Sequence, residues 1–334
     1  MQIRVIRGLP FCISVFFRAL SWQFVATPFA ASKKIRVNPC DPWQPCRRQN
    51  LRSKYFRFYS CEFVAKKPQS GPPWLNFTTE TFVMDAFVKS SFHNGITSIE
   101  FFHPQSNSLP GRILDELAQA IHAAGNDEAT KVVLIRSFGD KAFCAGASFD
   151  ELAAIRSKEE GLKFFSGFAH VINAMRICPK LIIGRIHGKC VGGGVGLAAA
   201  VDYAIATEAA EVKLSELAVG IGPFVVGPAV ERKIGNSAYA QLAIDATRWR
   251  SAEWARKRGL YAELYNTVED MDEAISRLAY LLVQSSPEAM AEMKKVFWNG
   301  TEHWDQLLVE RAAISGRLVL SDFTRNAIES FKKK

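Results

Sequence analysis

From Met84 onward, short β-branched or aromatic runs alternate with amphipathic stretches, a pattern that predicts an α/β chain. Ile96 to Phe102 reads as a strand. Ser108-Leu109-Pro110 then opens a helix to about Ala124, with Ile113, Leu114, Leu117 and Ile121 at helical spacing and Gly125 as its stop. Lys131 to Ser137 and Leu181 to Ile186 are apolar enough to be strands buried on both faces, and Glu159 to Met175 between them has a helical pattern. A Gly-rich turn follows, then a short apolar helix through Ala200 and a strand at Tyr203 to Thr207. Beyond Pro228 the pattern is helical throughout: Ser237 to Ala246, Ala252 to Gly259, Met271 to Gln284, Pro287 to Trp298, His303 to Leu320 and Asp322 to Phe331. The expected division is residues 84–258 as the α/β core and 259–334 as a helical C-terminal region.

Residues 1–83 lack any sustained period of 2 or 3.6, so poor order is expected there. They change the meaning of the net charge. The whole chain is +9, but 13 of its 42 Lys and Arg and only 3 of its 33 Asp and Glu lie in residues 1–83, so the remainder is close to neutral. The basic excess therefore says nothing about a partner of the folded part. This first quarter reads either as an upstream stretch ahead of a true start at Met84, which the abrupt change of charge favours, or as an Arg-rich transit peptide. The first implies a cytoplasmic protein and the second an organellar matrix. With 334 residues, 48% of them hydrophobic and 22% charged, wholesale disorder is excluded. Seven cysteines without a Cys-x-x-Cys pair fit neither a disulfide scaffold nor a zinc knuckle, so a reducing compartment and no metal are expected. His187 and His170 have no partner at metal-ligand spacing, and Cys144 reads as a small packed thiol.

Two glycine-bearing turns carry the chemistry. Phe143-Cys144-Ala145-Gly146-Ala147-Ser148 follows the Lys131 strand, and Val191-Gly192-Gly193-Gly194-Val195-Gly196-Leu197 follows the Leu181 strand at a helix N-terminus. Small residues let the backbone turn sharply there and leave N–H groups unpaired. Two such turns, each after a parallel strand, can aim one N–H apiece at a single oxygen, which is an oxyanion hole.

The segments F-C-A-G-A-S-F-D-E-L from Phe143, I-H-G-K-C-V-G-G-G-V-G-L from Ile186 through A-V-D-Y, and S-E-L-A-V-G-I-G-P from Ser215 resemble, in order and spacing, the successive signatures of the crotonase (enoyl-CoA hydratase/isomerase) superfamily. With I-T-S-I-E-F-F-H-P from Ile96, the resemblance spans about residues 85 to 334. V-G-G-G-V-G-L and G-I-G-P-F-V-V-G-P further resemble bacterial proteins labelled enoyl-CoA or methylglutaconyl-CoA hydratases. The resemblance implies a ClpP/crotonase-like fold of stacked β-β-α units, a helical C-terminal region that makes homotrimers or homohexamers, and an acyl-CoA substrate with coenzyme A as part of it rather than as a cofactor. It places the oxyanion donors at Ala147 and Gly193, with Ala145, Gly146, Gly192, Gly194, Gly196 and Phe224 as substrate-binding neighbours. Glu216 falls where the family keeps a catalytic glutamate. Its neighbours Leu214, Leu217, Val219, Ile221 and Phe224 are apolar, so a raised pKa and proton transfer at carbon are expected of it.

One departure bears on the reaction. Hydratases of this family carry another glutamate two residues after the Gly triplet, where this chain has Gly196. Hydration is eased by two carboxylates, whereas moving a double bond needs one group to carry a proton between carbons. Residue chemistry therefore leans to a Δ3-Δ2 enoyl-CoA isomerase, and the overall likeness to a hydratase. Asp150 and Glu151 are the candidates for a second carboxylate, against the competing role of starting the next helix. Phe224 stands where the dehalogenase-like and dienoyl-CoA isomerase branches need an aspartate. Two readings from other classes remain. Gly194-Val195-Gly196-Leu197-Ala198-Ala199 has the G-x-G-x-x-A form of an NAD-binding Rossmann turn, but the acidic residue expected to end the next strand is displaced. A non-catalytic acyl-CoA or RNA binder is the other; specific nucleic-acid binding is not expected, because Leu109 to Ala124 carries only Arg112. No segment is long enough to span a membrane. Asp202 reads as a structural hydrogen-bonder, and Lys332, Lys333 and Lys334 as a basic tail.

Overall fold

The computed structural model describes residues 84–332, and side chains as far as Ser330. Residues 1–83, Lys333 and Lys334, with the readings attached to them, lie outside the described residues. Six strands form the main sheet in the order Phe87–His93, Ile96–Phe102, Val132–Ser137, Leu181–Ile186, Tyr203–Thr207 and Glu263–Tyr265. The first pair is an antiparallel hairpin and every later pair is parallel. A second parallel sheet stacks Val212–Lys213, Lys189–Val191 and Ala142–Cys144, and a third pairs Ser108–Leu109 with Gly146–Ala147. Each turn of the chain thus adds one long strand, one short strand and a helix, the expected stacked β-β-α arrangement.

The apolar runs are buried on both faces, as parallel strands require. Val133, Ile135 and Ile182 join the main core under the helices Gly111–Asn126 and Lys158–Ile177. Val132, Ile183 and Ile205 face the other way, onto Met271, Ile275 and Ala279 of the helix Val268–Val283. Lys158–Ile177 also crosses the helix Trp304–Leu318 at backbone contact: a Cβ on Gly161 would lie 2.7 Å from Gly316 Cα. Only glycine at both positions allows this approach, and it carries the neighbouring Ser315 down to the pocket described below.

Besides the short strands of the two smaller sheets, three elements differ from the sequence expectation. Phe87–His93 is a strand, closed onto Ile96–Phe102 through Asn94 and Gly95, both at positive φ (46° and 83°). Gly227–Ile234 is a helix that the pattern did not single out. Glu263–Tyr265, inside the stretch expected to be wholly helical, pairs in parallel with Tyr203–Thr207 and extends the main sheet past residue 258. A three-residue strand is too short to display a period, and hydrogen bonds from Tyr203 and Tyr265 to Glu263 hold it.

Asp202 is the structural group expected, and more deeply buried than a hydrogen-bonder need be. Its carboxylate accepts from Ile182 N–H at 2.8 Å and Trp298 Nε1 at 3.1 Å, and pairs with Lys294 at 2.9 Å. The Lys294 and Asp202 side chains are 3% and 6% exposed, so removing one charge leaves the other buried without its ion-pair partner. Lys294→Met is expected to cost about 3–5 kcal/mol of stability in a urea titration. A loss below 1 kcal/mol would mean that the pair is solvated.

Candidate active site

Both glycine turns meet at one pocket. Ser148 N–H donates to Leu109 O at 3.4 Å, and alternate residues of a ladder face opposite ways, so the Ala147 N–H is aimed away from that strand. Gly146, at φ 87°, makes the close approach: a Cβ there would lie 2.8 Å from Val191 O and 3.4 Å from Gly193 N. The second turn therefore abuts the first. Gly192 (φ 51°) turns the chain into the helix Gly193–Ala200, whose first N–H groups have no partner within the helix and carry the positive end of its dipole.

Glu216 opens a 3-10 turn, Glu216–Val219, that Gly220 closes at φ 80°. Its carboxyl lies over the second turn, with Oε1 3.0 Å from where a Gly192 Cβ would stand. The residue as a whole is partly exposed, but Oε2 is buried and accepts no hydrogen bond. Burial pushes its pKa up to about 7, against the opposing pull of its own backbone N–H. An unpartnered buried carboxyl oxygen is unusual, because structural carboxylates are normally satisfied, and it makes Glu216 a candidate for chemistry at this pocket.

The pocket, about 60 Å³, holds Ala145, Gly146, Ala147, Gly192, Gly193 and Phe224 together with Glu216. Two other expected neighbours do not line it. A Cβ on Gly194 would fall 2.5 Å from Cys144 O, and one on Gly196 2.5 Å from Val226 Cγ1, so both glycines are packing positions. The two glycines of the G-x-G-x-x-A form are thus packed away from the pocket, which removes the support for the Rossmann reading. Of the apolar neighbours, Leu214, Val219 and Ile221 are buried, whereas Leu217 is half exposed and points outward. Asp150 and Glu151 also lie outside the pocket. Glu151 accepts the Gly111 N–H at 2.7 Å and so caps the helix Gly111–Asn126, and Asp150 accepts from Gln105 at 2.8 Å. The helix they begin is capped by Ser148, which accepts from Glu151 N–H.

The sequence did not point to Phe165, Phe168, Ser315 or Val226, which complete the walls. Phe168 packs on the second glycine turn so closely that a Cβ on Gly193 would lie 2.2 Å from its ring. Phe168 falls inside the expected helix Glu159 to Met175, and nothing in one sequence says which of its residues ends in a pocket. Cys144 is a buried thiol pushed up to about 12 by desolvation, consistent with packing. His187 is buried with neither ring nitrogen hydrogen-bonded, and burial pushes its pKa down to about 4. Among the described residues no group of three or more His, Cys, Asp or Glu is placed to hold a metal, and no helix is long and apolar enough to cross a membrane.

Residues 91–328 match the family model for enoyl-CoA hydratase/isomerase. The chain belongs to that family. Within it, the chain is 26% identical over 241 residues to a probable enoyl-CoA hydratase of Bacillus subtilis, covering 72% of this chain and 93% of that protein. It is 32% identical over 200 residues to the mouse mitochondrial methylglutaconyl-CoA hydratase, a match that spans 59% of this chain and 63% of that protein. The enoyl-CoA hydratase structure from Bacillus halodurans superimposes with a TM-score of 0.68 at 21% identity, over 73% of this chain and 99% of that one, and confirms the fold. The chain is thus a family enzyme of the α/β crotonase fold, with an acyl-CoA substrate implied.

Proposed function

We propose that this enoyl-CoA hydratase/isomerase family member moves the double bond of a 3-enoyl-CoA thioester into conjugation, using Glu216 as its single proton carrier. The observation that carries this reading is the occupancy of the Gly196 position: Val226 fills it, and Glu216 is the only carboxylate lining the pocket among the described residues. The N–H groups of Ala147 and Gly193 hold the thioester oxygen. Ionised Glu216 takes a proton from C2, the electron pair moves through the enolate onto that oxygen, and the same carboxyl returns the proton to C4 as the C3–C4 double bond shifts to C2–C3. Atoms balance, and no water enters the product. Coenzyme A enters as part of the substrate.

Hydration is the second reading, favoured by the names of the relatives. Incubation with a 3-enoyl-CoA and, separately, with crotonyl-CoA distinguishes the two. A gain of conjugated-thioester absorbance at constant mass on the first is expected; loss of absorbance with a gain of one water on the second would make the enzyme a hydratase.

The base must be ionised to act, so kcat/KM for isomerisation is expected to rise with pH through about 7, the raised pKa of Glu216, and to level off above it. An acid limb centred near 4.5, the ordinary carboxyl value, would mean that another environment or group carries the proton.

We also propose self-association as a homotrimer or homohexamer. It is supported by exposed apolar side chains on the C-terminal helices, among them Tyr280, Leu281, Val296 and Phe297. Sedimentation equilibrium at the monomer mass would overturn it.

A further inference from the structure

We propose that the acyl pocket takes uncharged acyl groups and rejects those carrying a second carboxylate. The inference rests on the acyl-CoA reading of the site and goes beyond it to the class of acyl group. Phe149, Leu152, Phe165, Phe168, Phe224 and Val226 make the walls apolar and largely aromatic. The polar side chains that reach the pocket are Ser215, Ser315 and Glu216, and none is a cation.

A distal carboxylate entering this space meets no Lys, Arg or His among the described residues that line it. It also meets the Glu216 carboxyl, which burial already holds back from ionising, so a second negative charge in the same cavity is repelled as well as desolvated. Arg156 and Arg325 border a separate groove, and Leu152 lies between the two spaces, lining both. The hydroxyls of Ser215 and Ser315 can each offer one hydrogen bond, too little to replace the hydration of a carboxylate. A terminal methyl loses nothing on entering and gains contact with the Phe168 and Phe224 rings.

Valeryl-CoA and glutaryl-CoA test this directly. They share a five-carbon chain, differ in a terminal methyl against a terminal carboxylate, and contain no double bond, so their binding does not depend on turnover. Titration calorimetry on the full chain at pH 8 is expected to give glutaryl-CoA a Kd about 100-fold above that of valeryl-CoA. A ratio below thirtyfold overturns the proposal. If the chain turns over no enoyl-CoA but keeps the ratio, the reaction assignment fails and the selectivity stands; if neither thioester binds, both fail.

Discussion

Glu216→Gln is expected to lower kcat by about 10²–10⁴-fold while making the protein more stable above neutral pH. Both effects come from one buried carboxyl. In the unfolded chain it ionises near 4.5, and in the folded chain near 7. Between those values the unfolded state releases a proton that the folded state keeps, so stability falls as pH rises from 4.5 through 7 and the full penalty is present at pH 8. At about 1.36 kcal/mol per pH unit the gap corresponds to about 3 kcal/mol. Gln cannot ionise, but it buries an amide where Oε2 already lacks a partner, so the expected gain at pH 8 is about 1–3 kcal/mol. At pH 4 the gain should vanish. Urea titrations of both proteins at the two pH values read this out, and a variant that gains nothing between pH 4 and pH 8 would show that the carboxyl is solvated. A carboxyl that lowers stability in this way is what the proposed proton carrier requires and what the fold alone does not.

The sequence and the structure agree where a local rule has a long reach. Buried parallel strands announce themselves as continuous apolar runs, and Lys131 to Ser137 and Leu181 to Ile186 sit within a residue of the observed strands. The two glycine turns that meet at the pocket were legible because small residues after a strand permit a sharp turn. Asn94-Gly95 was an equally local signal, the favoured pair for a two-residue hairpin, and points to the strand Phe87–His93 that was missed. The short strands at Ala142–Cys144, Lys189–Val191 and Val212–Lys213 had no such signal, since two or three residues show no period and pair only through tertiary placement. The same limit applied at the site. Asp150 and Glu151 stood close in sequence to the oxyanion turn, yet the helix they begin directs them to Gln105 and Gly111. Val226 stood thirty residues from Gly196, and only the packing of the Gly227–Ile234 helix onto Gly193–Ala200 brings them together.

That packing makes Gly196 and Val226 one unit, and it decides what restoring a second carboxylate would require. Gly196→Glu alone is expected to destabilise the protein by about 3 kcal/mol or more. Its Cβ would stand 2.5 Å from Val226 Cγ1 and 2.7 Å from Val226 Cβ, and its carboxylate would enter an apolar space. Val226→Ala does not relieve this, because the Val226 Cβ at 2.7 Å stays. Val226→Gly does, since the next atom is Val226 Cα at 3.7 Å. Val226 is the N-cap residue of Gly227–Ile234, a position where glycine is well tolerated, so the cost of Val226→Gly alone is mainly the lost packing, about 1–3 kcal/mol. The double variant Gly196→Glu/Val226→Gly should therefore be more stable than the sum of the two singles predicts by at least about 1 kcal/mol. It should also add water to crotonyl-CoA at a rate the parent does not reach, because the new carboxylate then takes the space of the Val226 side chain, which lines the pocket with Glu216. Strict additivity of the two substitutions would separate Gly196 from Val226. A stable double variant with unchanged hydration would show that the missing carboxylate is not what separates the two reactions.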